Sequence, residues 1–287
     1  MPNLYVTPIE IKQAMPDGIQ SSTLKYDAIL TRLAERVSRF VDNYCGRVFF
    51  PRLATRYFDG GGKSEIAVPD LLEITSVAYS EDEGETYTEL TASDYYATVE
   101  GDYNSGRSWT RLVVSRLSET LGAWPIGQRS VRVVGVWGYA DEREEAWIDS
   151  GDTVRDDPLG LAATAITVAG VTGADVWGMA PRFQAGRLAK IESEYVEIAA
   201  ANSDTNVLTA VRGRNGSTAA AHALGSAIYS WRAPEPVQQA CIIQAVRQLE
   251  RGFQGFGEAR ANADLGQMFW IKSLDPEAKE LLQMYVW

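Results

Sequence analysis

Four groups of residues have the types and spacing that chemistry requires. The first is Gly60-Gly61-Gly62-Lys63-Ser64. A phosphate-binding loop needs Gly-x-x-x-x-Gly-Lys-Ser/Thr between a strand and a helix, so that backbone N–H groups converge on the anion. Counting back from Gly62, the first glycine should stand at position 57, which is Tyr57. The residues that follow, EIAVP, read as a strand closed by Pro69, so the stretch is a turn between strands. The second group is the single histidine, His222, in the loop-like segment RGRNGSTAAAHALGS. One histidine without paired cysteines does not close a zinc site, and no Gly-x-Ser-x-Gly elbow supplies a nucleophile. His222 therefore reads as a loop residue that packs or hydrogen-bonds. The third group is Glu192, Glu194 and Glu197 along one expected strand, the first two on the same face. Paired carboxylates can transfer protons or hold a hard cation, but a solvated strand face is the ordinary use of such a pattern. The fourth group is Cys45 and Cys241, which read as small buried thiols on helix faces rather than a disulfide framework. No residue is assigned a catalytic, cofactor-binding or metal-binding role.

Aromatic residues suggest contact rather than catalysis. Of eight tryptophans, Trp124, Trp137 and Trp231 fall at strand or turn positions where a core ring is expected. Met268, Phe269, Trp270 and Trp287 lie in or beside sequence that lacks the period of a packed face. Together with Leu281 and Tyr285 on the last helix they form a candidate partner-docking surface.

The elements that would position these groups follow from periodicity. Ser22 to Arg47 carries apolar residues at Tyr26, Ile29, Leu30, Leu33, Val37, Phe40, Val41 and Tyr44, the three-and-four spacing of an amphipathic helix. Ser22 or Thr23 would cap its start, and Gly46 its end. A short helix precedes it, with Thr7 as cap, Pro8 in the first position and Glu10 completing a capping box; Pro16-Asp17-Gly18 would close it as a turn. A second long helix is expected from Glu235 to Phe253, and a last one after Asp275-Pro276. Between the long helices the period changes to two. Strands are expected at 52–58, 65–68, 74–79, 94–99, 109–115 and 130–139, the first two as a hairpin and all within one antiparallel sheet. Residues 102–107 read as a polar loop. Residues 141–157 are heavily acidic and read as a linker. Beyond it, 163–171, 188–199, 206–211 and 226–231 look like strands of a small β-barrel or sandwich of about 70 residues. Residues 254–270 show no period.

Composition sets the outer limits. A chain of 287 residues with 45% hydrophobic content has material for about two domains. The charge of −11, from 27 Lys and Arg against 38 Asp and Glu, argues against gripping nucleic acid by its phosphates. It suits a protein that DNA must pass without sticking. The N-terminal sequence has no basic start followed by an apolar run, and no stretch approaches the ~20 apolar residues of a membrane span, so a reducing cytosol is the expected compartment of synthesis.

The segments YVTPIEIKQ, FVDNYCGRVF (Phe40 to Phe49) and RYFDGGG, with LDPEAKELLQMY (Leu274 to Tyr285) at the other end, resemble the head–tail connector, or adaptor, proteins of tailed bacteriophages. Tyr44-Cys45-Gly46-Arg47 is the most specific part. The resemblance covers roughly 4–140 and 234–287, while 158–232 resembles a small β module of other phage structural proteins. It implies a structural protein of the virion neck rather than an enzyme, assembled in the host cytoplasm. Copies, usually twelve, would form a ring under the portal protein that joins capsid to a tail-completion, neck or tail protein. Packaged double-stranded DNA would pass the lumen without specific binding, and no cofactor or membrane is involved. The expected fold is α+β: a helical core domain with an antiparallel sheet (1–140 and 234–287), an acidic linker (141–157) and an inserted small β-barrel or sandwich domain (158–233). Another neck or tail-completion role is the alternative. A different class, a glycan-binding or hydrolytic module in the insertion, would rest on Trp177, Trp231 and the Glu192/Glu194 pair.

Overall fold

The computed structural model describes residues 3–15, 25–99, 102, 105–253, 259–262, 267–270 and 274–287, without the side chains of 252–253, 259–262 and 267–270. The fold is mixed α and β, with four helices and antiparallel sheets among the described residues. Helix α1 (Pro8–Gln13) opens on the expected capping box: Glu10 N donates to Thr7 Oγ1 at 3.2 Å and Thr7 N to Glu10 Oε2 at 2.8 Å. The first long helix, α2, runs Asp27–Cys45, shorter than the apolar spacing suggested. Tyr26 is its N-cap and makes no side-chain capping bond. The proposed caps Ser22 and Thr23, and the Pro16-Asp17-Gly18 turn, lie outside the described residues. Gly46 ends α2 at φ 67°, a left-handed geometry that glycine adopts without strain. Leu30, Leu33, Val37 and Val41 are buried, whereas Ile29 faces solvent.

The first sheet holds six strands: β1 (Arg52–Gly60), β2 (Glu65–Tyr79), β3 (Thr88–Glu89), β4 (Tyr95–Thr98), β5 (Trp109–Val114) and β6 (Gly127–Trp137), in the order β1-β6-β2-β5-β4 with β3 on β2. The expected β1–β2 hairpin does not form; the two strands flank β6 instead. The two strands expected at 65–68 and 74–79 are one strand. Pro69, read as a terminator, sits in the register shift between Ala67 and Leu71, where its missing N–H interrupts no regular ladder.

The second sheet is ordered β7-β12-β9-β10-β11-β8. It comprises β7 (Trp147–Thr153), β8 (Ala165–Thr167), β9 (Leu188–Ile191), β10 (Glu194–Asn202), β11 (Val207–Val211) and β12 (Ala227–Trp231). Two expectations need correction. Residues 141–157 are not a plain linker, because they contain β7, paired with β12. The strand expected over 188–199 is two, broken by a tight turn at Glu192 (φ 53°) that pairs Glu194 with Ile191. After β12 come α3 (Glu235–Phe253), a hairpin of β13 (Ala259–Asn262) and β14 (Gln267–Trp270) where no period was read, and α4 (Pro276–Gln283). Asp275 caps α4 by accepting from Glu277 N at 3.0 Å, ahead of Pro276.

One apolar cluster joins both ends of the chain: Leu33, Val37 and Val41 of α2, Val237, Ala240 and Cys241 of α3, and Ala278 and Leu282 of α4. Phe49 is its aromatic hub, edge-on to Tyr5, Tyr139 and Tyr285 at 5.6–5.7 Å between centroids. A second cluster packs on the second sheet, with Ile166, Ile191, Val196, Leu208 and Ile228. A third, around Trp124 and Trp137, lies on the first sheet. A fourth, with Leu72, Val136, Tyr195 and Trp231, sits between the two sheets.

Candidate functional site

The sequence-read acids and histidine do meet, though not on one strand face. Glu192, held left-handed in the β9–β10 turn, reaches His222 Nδ1 through Oε2 at 3.0 Å and accepts from Ser226 Oγ at 3.1 Å. Glu194, the first residue of β10, meets His222 Nε2 at 2.8 Å. Each ring nitrogen of His222 thus meets one of the two carboxylates. Arg212 grips Glu194 with Nε and Nη2, both at 2.7 Å, and Gly213 N and Ala220 N donate to it at 3.0 Å. Burial alone would push the Glu194 carboxyl up. The guanidinium, the two N–H groups and His222 overcome that and hold it at about 2. Glu194 is fully buried and every acceptor direction is used, so it cannot exchange a proton with a substrate. The cluster pins the 212–226 loop onto the second sheet. Glu197 pairs with Arg214 at 3.0 Å.

The glycan-site residues are not assembled. Trp231 is buried, with Nε1 donating to Phe49 O at 2.8 Å, and neither it nor Glu194 lines the cleft that Trp177 lines. Trp124 and Trp137 are core residues, as their positions suggested. Cys45 and Cys241 are free and buried, and burial pushes the Cys45 thiol up to about 12. Gly60 closes β1, and residues 61–64 link it to β2 with no helix following. A Cβ at Gly60 would lie 2.0 Å from Pro125 O, so that glycine is set by close packing. Among the described residues no group of three or more His, Cys, Asp or Glu is arranged to hold a metal ion, and no helix is long and apolar enough to cross a membrane.

The six docking candidates separate. Tyr285 must be reassigned to the core: it is buried against Phe49 and Tyr139, and its hydroxyl donates to Asp141 Oδ2 at 2.9 Å. Leu281 is half-buried against the helical cluster. Met268, Phe269 and Trp270 lie on β14, and their side chains fall outside the described residues. Trp287 is 61% exposed, with Arg47 stacked 4.7 Å from its ring centroid. Beside it, Arg52, Arg56, Val48 and Phe50 line a cleft of about 500 Å³.

A larger cleft, about 690 Å³, was not foreseen from the sequence. Its walls are α1, the start of α3, the segment leading into β7, and the 175–179 turn. Trp177 and Met179 on that turn are 63% and 48% exposed. The local signal was Trp177 itself. What fixes the turn, Arg232 on buried Asp175, is remote in sequence. The chain matches no protein-family model and no curated protein.

Proposed function

We propose that this protein is a structural head–tail connector of a tailed bacteriophage. It would be one subunit of a ring under the portal that joins capsid to tail in the virion neck. The observation that carries the reading is the shared core of α2, α3 and α4, which unites segments about 200 residues apart. Those are the segments whose sequences, FVDNYCGRVF and LDPEAKELLQMY, resemble the family. On this reading the helices and first sheet are the connector core. The second sheet is an insertion between that sheet and α3. It would be barrel-like, since Arg155 N, just past β7, donates to Thr167 O of β8 at 2.9 Å and brings its two edges together. The insertion would begin with β7 rather than at residue 158. Identical wedges packed by unlike faces close into a ring. A chain of charge −11 suits a bore through which phosphates slide.

Native mass measurement with the portal protein encoded by the same genome tests this. The expected result is a complex holding a fixed multiple of subunits, usually twelve, even where the free chain is monomeric. A chain that never associates with portal contradicts it.

A further inference from the structure

The 690 Å³ cleft differs from an ordinary surface depression in how its apolar wall is held. Trp177 and Met179 stand in solvent on a turn that is fixed from below. Asp175, buried, accepts from Trp177 N at 3.0 Å and Met179 N at 2.9 Å through Oδ1, while Arg232 pairs with Oδ2. Gly178 N also closes onto Asp175 O at 3.0 Å. An exposed tryptophan on a rigid turn has already lost the freedom that binding would remove, the preorganisation that favours an anchor residue. Ile148 and Ile242 continue the apolar wall.

The rim has one sign. Five acids line the cleft against one base, Arg232. Glu10 is engaged by Arg187 and the Thr7 backbone, and Asp141 by the Tyr139 and Tyr285 hydroxyls. Glu142, Glu145 and Glu235 are exposed; Glu142 lies in the field of the Arg143 guanidinium, while Glu145 and Glu235 have no ion-pair partner among the described residues. An apolar floor with exposed carboxylates at its edge, in excess over cations, is complementary to an apolar side chain flanked by lysine or arginine.

We infer that this cleft is a docking site for a basic, apolar peptide segment of another protein. Its anchor side chain packs on Trp177 and Met179, and its cations sit against Glu142, Glu145 and Glu235. The inference stands on the cleft alone; portal binding succeeds or fails independently of it.

The test uses a fluorescein-labelled dodecapeptide of alternating lysine and leucine, and its glutamate–leucine counterpart, titrated by anisotropy at about 0.15 M salt, where long-range attraction to the net charge is screened. The full chain is compared with W177A, with E142Q/E145Q/E235Q, and with E81Q/E83Q/E85Q, which removes the same charge from an exposed turn elsewhere. The cleft triple and W177A should each weaken binding about tenfold, the remote triple less than about threefold. Equal losses from the two triples, equal binding of the acidic probe, or no saturation below about 100 μM would overturn it. Concentration-dependent self-association abolished by W177A would also overturn it, because the occupant would then be a second copy.

Discussion

The change Glu194→Gln removes one charge and almost no volume, and its consequences can be worked from the geometry. The carboxylate takes five bonds, from Arg212 twice, Gly213, Ala220 and His222. Glutamine supplies one acceptor oxygen and an NH₂ that must face a donor, so Arg212 and His222, both nearly buried, lose a partner. Breaking a buried pair from one side costs about 3–5 kcal/mol. Linkage gives a second figure. A carboxyl held at about 2 in the fold against an ordinary 4.5 contributes about 3 kcal/mol. Its folded value is depressed, so the contribution is present above pH 4.5 and is lost as pH falls towards 2. Both routes give a sizeable share of a typical 5–15 kcal/mol total. Urea unfolding at pH 7 should show the variant about 3 kcal/mol less stable. The gap should shrink as the pH is lowered below about 4.5. A loss under about 1 kcal/mol at pH 7, or a gap that does not change with pH, would show that the Glu194 carboxylate does not hold this loop.

Three further outcomes follow from other sites. Asp42 behaves in the opposite sense: burial pushes its carboxyl up to about 6 against the pull of Arg39 and the Tyr5 hydroxyl, so the fold binds this proton more tightly than the unfolded chain. Stability from Asp42 therefore grows as pH falls from about 6 towards 3.8; Asp42→Asn should flatten the urea midpoint across that window, and an unchanged slope would count against it. Gly60→Ala should cost about 1–3 kcal/mol because its Cβ meets Pro125 O, while Gly61→Ala, with nothing within 4 Å, should be nearly neutral by thermal unfolding. Tyr285→Ala should cost about 3–5 kcal/mol by urea unfolding and Tyr285→Phe about 1, whereas Trp287→Ala stays within about 1.

The Tyr285 result also bears on how a partner surface is to be probed. Deleting 268–287 removes Ala278, Leu282 and Tyr285 from the helical cluster, so a loss of partner binding after that deletion reports unfolding as readily as docking. Substitutions at the exposed Trp177, Met179 and Trp287 leave the core intact.

Helices were legible wherever the local chain carried its own punctuation. The Thr7–Glu10 capping box, Gly46 and Asp275-Pro276 each act within a few residues, and the bounds of α3 agree with its apolar stripe. Strand pairing was not legible, because β1 finds β6 about 75 residues on although β2 follows it directly in the chain. Strand β7 was missed because its inward face is Ile148, Ser150 and Asp152. Asp152 is satisfied by Thr153 N, Ala169 N and Gly170 N and faces Arg182, so a polar pattern that reads as linker is in fact buried. The Glu192–His222–Glu194 cluster escaped for a related reason: alternation put both acids on one strand, whereas a left-handed turn brings Glu192 to the ring from outside it.

Imaging the complex with portal by electron microscopy tests the central proposal most directly. The expected result is a closed ring coaxial with the portal, with α2 and α3 of each subunit packed together in its wall and a bore whose lining is net acidic. A bore lined mainly by lysine and arginine, or no ring on the portal at all, would contradict it.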